Sequence, residues 1–127
     1  FIEHFIATAA LAPIAEELFF RGVIYGTLKG VLKPPAAMII SCALFGLLHG
    51  QLIWMVYAFL MGVALTLIYD KYKSLLASMA FHIAFNITGS FILPAFGDGL
   101  PMLPLLLVMC LGLWYSVRHI KVYNTKA

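Results

Sequence analysis

Charge is scarce in this sequence. Only 10% of its 127 residues are Asp, Glu, Lys or Arg, against about 25% in a soluble domain. The apolar share is 64% and the mean hydropathy is +1.03. That balance excludes an ordinary soluble domain and places the chain in the membrane class. Cysteine is nearly absent as well. Cys42 and Cys110 lie in different apolar stretches, with no CxxC and no Cys/His cluster. Both read as free, packed thiols, and no structural zinc site is expected. There is no basic leader region with a small-residue cleavage site, so no signal peptide is visible. Apolar sequence starts at Phe1, as in a piece with further helices upstream. Internal repeats and low-complexity segments are lacking. The net charge of +3 gathers at helix ends, which reads as membrane orientation and not as nucleic-acid binding.

What is present is a series of apolar stretches. A transmembrane helix needs about 20 mostly apolar residues, so the length allows roughly five with short connections. The expected architecture is all-α: one polytopic transmembrane helix bundle of about five helices over 1–127. The first helix is expected over 5–27, stopped by Lys33-Pro34-Pro35. The second is expected over 36–49, with Gly50-Gln51 as a tight turn, and the third over 52–69. Residues 70–73 read as a polar connector and Ser74 as the N-cap of a fourth helix that runs to about 93. Residues 94–101 read as a loop, 102–117 as a fifth helix, and the rest from Arg118 as a basic tail. Lys29, Lys33, Lys71, Lys73, Arg118, Lys121 and Lys126 fall at alternate ends of these helices. The positive-inside rule puts those ends on the cytoplasmic side. Gly22, Gly26 and Gly30 are spaced by four, as are Gly46 and Gly50, and such rows let helix backbones approach closely in lipid.

Against this background a few polar residues stand out. A charged side chain at the bilayer centre costs roughly 2.5–3.5 kcal/mol, and Glu16, Glu17 and Arg21 share one helix. Glu17 and Arg21 are i and i+4 and can pair. Glu16 then has no partner in its own helix. A packing network of all three would leave Glu16 unexplained. His49 lies four residues after Phe45, and His82 and Asn86 project together from the fourth helix. Counted from the cytoplasmic ends at roughly 1.5 Å per residue, Glu16, His49 and Asn86 fall in one layer about 20 Å up, with His82 a turn lower. A carboxylate and an imidazole can activate one water as general base. A second imidazole with a carboxamide offers two donors to an oxyanion. Together these suit peptide hydrolysis without a protein nucleophile. No Ser or Cys lies in an evident nucleophile motif. His49, His82 and Glu16 could instead hold a zinc ion with an open position, although no HExxH is present.

The ordered motifs carry a resemblance. Glu16-Glu17-Leu18-Phe19-Phe20-Arg21 looks like EExxxR, Phe45-Gly46-Leu47-Leu48-His49 like FxxxH, and His82-Ile83-Ala84-Phe85-Asn86 like HxxxN. In this order they resemble the CAAX-protease and bacteriocin-processing family, intramembrane peptidases related to the prenyl-protein endoprotease Rce and the Abi proteins, over about 5–93. The resemblance implies a helical membrane fold with the site in a cavity between helices. It implies Glu16 as the catalytic base with His49 positioning the water, and His82 and Asn86 as the oxyanion donors. Glu17, Arg21 and Phe45 match supporting positions. No cofactor is implied, zinc being the alternative. The implied partners are a lipid bilayer and a peptide or protein substrate, prenylated or bacteriocin-like, in a bacterial cell membrane. A non-catalytic immunity or binding protein is the reading from a different class. A proton-coupled transporter would also use membrane Glu and His, but five short helices without an inverted repeat speak against it.

Overall fold

The computed structural model describes residues 2–92 together with Leu107, Leu111, Gly112, Tyr115 and Arg118. The expected loop at 94–101, most of the expected fifth helix, Cys110 and the tail after Arg118 lie outside the described residues. Residues 2–92 are all-helical, in four long helices. The first, α1, strings together Ile2–Ile6, Ala7–Leu11, Ala12–Glu17, Leu18–Tyr25 and Gly26–Val31. Helix α2 spans Pro34–Leu47, α3 spans Leu52–Tyr72, and α4 spans Leu75–Ile87 and continues through Thr88–Ile92. Helix α1 packs on α2 and α4, and α3 packs on the same two, so the four close into a ring.

Three stretches, Ala7–Leu11, Leu18–Tyr25 and Thr88–Ile92, are wide π turns. The first has a visible cause. Buried Pro13 has no N–H, and its ring would clash with the carbonyl four residues back in a tight α turn. The chain widens just before it, and the Ala12 N–H reaches back five residues to Ala7 O. The second keeps a stripe straight. Glu17, Arg21 and Tyr25 recur every four residues, and a regular α-helix would let them drift by about 40° at each step. All three are buried, at 0%, 1% and 1% exposure.

Helix α2 starts with Pro34 and Pro35 in its first turn after an extended Lys33, where a missing N–H costs nothing. It stops two residues short of expectation, and His49 lies in the turn that follows. Gly50 takes φ +78° in that turn, a left-handed conformation that glycine adopts without strain. The chain then doubles back so closely that a Cβ on Gly46 would stand 2.7 Å from Met55 O. The second glycine row therefore splits into a contact and a turn. The first row makes no tight seam among the described residues: a Cβ on Gly22 or Gly26 would meet only ordinary contacts, and one on Gly30 nothing within 4 Å.

The expected connector at 70–73 is a correction. Helix α3 runs on to Tyr72 and ends at Lys73 in the left-handed region, φ 50° and ψ 36°. Asp70 stays helical because it has partners on α1. Lys29 Nζ donates to Asp70 Oδ1 at 2.8 Å, the Tyr25 hydroxyl donates to Asp70 Oδ2, and Lys73 lies 3.5 Å away. Ser74 holds the N-cap position of α4 in extended conformation, with no side-chain cap bond.

Helix α3, with 21 residues and a mean hydropathy of 2.1, is long and apolar enough to cross a membrane. At 1.5 Å per residue it measures about 32 Å, matching a hydrocarbon core of about 30 Å. Pro34–Leu47 and Leu75–Phe91 are apolar but shorter. The core between the helices is aromatic. Phe20, Phe45 and Ala58 form one buried cluster, with Phe20 and Phe45 edge to face at 5.0 Å. Met61 and Leu65 form a second, against Tyr57, Leu60 and Phe85.

Candidate active site

Helix α1 supplies the charges. Glu17 and Arg21 pair as their spacing predicts, with Arg21 Nη1 2.9 Å from Glu17 Oε1. Arg21 Nη2 donates to Gly62 O on α3 at 3.0 Å, and the guanidinium lies 4.8 Å over the Phe45 ring. A buried ion pair needs such extra partners to offset its desolvation. Among the described residues Glu17 Oε2 and Arg21 Nε have no hydrogen-bond partner. Gly62 is fixed by this meeting, because a Cβ there would press on Phe45 and Cys42 at 3.2–3.3 Å. Cys42 is a free, buried thiol, against Thr66 at 3.6 Å.

Helix α4 brings His82 to this pair. His82 Nδ1 is 3.0 Å from Glu17 Oε1. A carboxylate only accepts hydrogen bonds, so Nδ1 is the donor and Glu17 orients the ring. The other nitrogen, Nε2, faces Glu16 Oε2 at 3.6 Å. Glu16, which had no partner in its own helix, thus finds one across the interface. One turn on, Asn86 Nδ2 donates to Thr8 O at 3.3 Å. Thr8 belongs to the first π turn, where the Ala12 N–H goes to Ala7 O and Pro13 offers none. Its carbonyl takes a donor from α4.

His49 is exposed, at the end of α2. Its Nδ1 is 2.9 Å from Phe45 O, one of the last-turn carbonyls that a helix leaves without an internal donor. Since a carbonyl only accepts, Nδ1 donates and Nε2 is left as an acceptor. The His49 ring stands edge to face with Phe45 at 4.9 Å. Among the described residues His49 and Glu16 share no hydrogen bond.

His49, His82 and Asn86 line one cavity of about 340 Å³, with Gly89 and Ser90 beside them. Phe45, Trp54, Tyr57, Ala58, Met61 and Phe85 make its apolar wall. Glu16 is not part of the lining and adjoins the cavity through His82. Three of the four expected site residues therefore share the cavity, and the fourth stands behind one of them. The wall from α3 was not anticipated, because that helix reads as uniformly apolar. Its signal was the spacing of Trp54, Tyr57, Ala58 and Met61, a single helical face. Among the described residues no three His, Cys, Asp or Glu side chains come together to hold a metal ion. His49, His82 and Glu16, the set that could hold a zinc ion, are not such a group among them.

Fold and site define an all-helical protein with a carboxylate–imidazole cluster beside an apolar cavity. The chain belongs to the Rce1-like family, described as type II CAAX prenyl endopeptidase Rce1-like, whose profile matches residues 1–88. It is similar to three proteins of Lactococcus lactis subsp. lactis (strain IL1403). UPF0177 protein YxdF is 30% identical over 80 residues, 62% of this chain and 44% of that protein. UPF0177 protein YaiF is 32% identical over 84 residues, 65% of this chain and 37% of that protein. UPF0177 protein YbdI is 33% identical over 84 residues, 65% of this chain and 45% of that protein. The chain thus spans less than half the length of these curated relatives. No solved structure matches it.

Proposed function

We propose that this protein is an intramembrane endopeptidase of the glutamate type. Glu16 is the general base, His49 helps hold the attacking water, and His82 and Asn86 face the developing oxyanion. The observation that carries this reading is convergence. His49, His82 and Asn86 line one cavity, and His82 Nε2 stands 3.6 Å from Glu16 Oε2. The acceptor Nε2 of His49 suits a bound water. The amide of Asn86 has two N–H groups; one serves Thr8, and the other is for the substrate. The aromatic wall suits a large apolar side chain or a prenyl chain, so the substrate is a membrane-embedded peptide, prenylated or bacteriocin-like. Large apolar side chains on the outer faces, among them Leu52 at 77% and Leu76 at 76% exposure, favour lipid contact. The reading extends to a multi-pass bundle of about five helices in a bacterial cell membrane, without a metal cofactor.

The test uses the protein in proteoliposomes with quenched-fluorescence peptides that carry apolar residues on both sides of each bond. Half of them end in a farnesylated Cys. The wild type is expected to cleave, and Glu16→Gln, which keeps shape and loses the ionisable group, is expected not to. Cleavage by Glu16→Gln at the wild-type rate would remove Glu16 from the role of base. A second reading, a non-catalytic immunity or binding protein, is favoured by one observation: Glu16 does not line the cavity. It predicts that wild type and Glu16→Gln bind the same peptides equally well and that neither cleaves them.

A further inference from the structure

We infer that His82 is the proton donor to the departing amine, held for that task between Glu17 and Glu16. The inference rests on the endopeptidase reading and deepens it. Glu17 takes the Nδ1 proton of His82 at 3.0 Å, so the proton available for chemistry is the one on Nε2. That nitrogen faces Glu16 Oε2 at 3.6 Å, in a pocket where the two side chains are 5% and 34% exposed. To act as a general base, Glu16 must be a carboxylate. Were His82 neutral, its Nε2 lone pair would confront that carboxylate, acceptor against acceptor. A doubly protonated His82 resolves the clash, because both ring nitrogens then point at carboxylates. It also balances charge. With Glu16 and Glu17 as carboxylates, a doubly protonated His82 together with Arg21 would make the quartet neutral, and an unbalanced buried charge is costly. Glu17 fixes the ring for either role, and Glu16 beside Nε2 adds a partner from which a spent His82 can be reloaded with a proton.

The step closes as follows. Glu16 takes a proton from water while the oxygen adds to the scissile carbonyl carbon, leaving an oxyanion. The C–N bond then breaks as the carbonyl re-forms, and Nε2 of His82 gives its proton to the nitrogen. The products are a carboxylic acid and an amine, with Glu16 protonated and His82 neutral. Transfer of the proton from Glu16 to Nε2 across the gap between them restores the start. Glu17 is the positioning residue that keeps Nε2 aimed at both.

A leaving group that needs no proton separates this role from oxyanion binding. The probe is the quenched peptide that the wild type cleaves fastest, paired with a twin carrying an ester of an acidic phenol at the scissile bond. His82→Gln keeps an N–H donor but cannot deliver a proton. It is expected to lower the ratio of amide to ester turnover by about 10² or more, the scale of general-acid catalysis. Asn86→Ala is expected to slow both probes alike by about 10²–10³ and leave the ratio unchanged. An unchanged ratio in His82→Gln overturns the inference and leaves the endopeptidase reading intact. If His82→Gln does not fold, a wild-type series with increasingly basic leaving groups decides. Nearly constant rates support proton donation, and a steep fall overturns it. A wild type no faster than Glu16→Gln on amide and ester alike sinks the endopeptidase reading and this inference together.

Discussion

Gly46 lies so close to the backbone of Met55 that a Cβ at position 46 would stand 2.7 Å from the Met55 carbonyl oxygen. The atom in the way is main chain and cannot swing aside. Gly46→Ala is therefore expected to force α2 and α3 apart, at about 1–3 kcal/mol, the usual cost of overpacking. Among the described residues Gly30→Ala meets nothing within 4 Å and trades a poor helix former for a good one, a gain of about 0.5–1 kcal/mol. Melting of the detergent-solubilised variants checks both. A Gly46→Ala protein that melts with the wild type would disprove the close approach of the two helices.

Arg21 holds Glu17, Gly62 O and the face of Phe45 at once. Arg21→Ala strands a buried carboxylate and is expected to cost about 3–5 kcal/mol, seen as lower yield and melting temperature. Arg21→Lys keeps the charge without the planar fork and should fall between the two. A fully stable but inactive Arg21→Ala protein would move Arg21 from support into the chemistry.

Metal dependence has a direct test. Since His49, His82 and Glu16 do not assemble into a ligand set among the described residues, the purified protein is expected to hold no stoichiometric zinc. Cleavage is expected to survive dialysis against a strong chelator. Chelator-sensitive cleavage restored by zinc alone would reinstate the metalloprotease.

Orientation can be read by labelling. Lys33→Cys and Lys73→Cys both place a thiol at an exposed position at one end of the ring and are expected to react from the cytoplasmic side. Gln51→Cys is expected to react from the other. One discordant position would break the topology drawn from the positive-inside rule.

The sequence was legible where structure is local. Glu17 and Arg21 pair because residues four apart share a helix face, and no tertiary knowledge is needed to see it. His82 and Asn86 emerge on one face for the same reason. What crosses between helices was not legible. Nothing near Glu16 announces that its partner is His82, and nothing near Asp70 announces Tyr25 and Lys29. Asp70 reads as part of a connector because a charge beside lysines looks like a helix end, yet its partners on α1 keep it helical. The glycine rows show the opposite error. Spacing by four suggests two seams, but among the described residues of these rows only Gly46 closely approaches the backbone of a neighbouring helix, since close approach depends on which face a neighbour covers. The Asn86–Thr8 bond depends on a widened turn ahead of Pro13, which apolar periodicity does not reveal.

The wide turns of α1 make the length of that helix an indexing device. Leu18 and Phe19 are 51% and 53% exposed, so their side chains can be exchanged at little cost to packing. Deleting either is a different matter. One residue fewer between Glu17 and Arg21, at about 100° of rotation per residue, would swivel everything upstream about the axis. Glu16 and Glu17 would turn away from His82 while Arg21 stayed docked at Gly62. Along this helix the site tolerates a change of letter far better than a change of count.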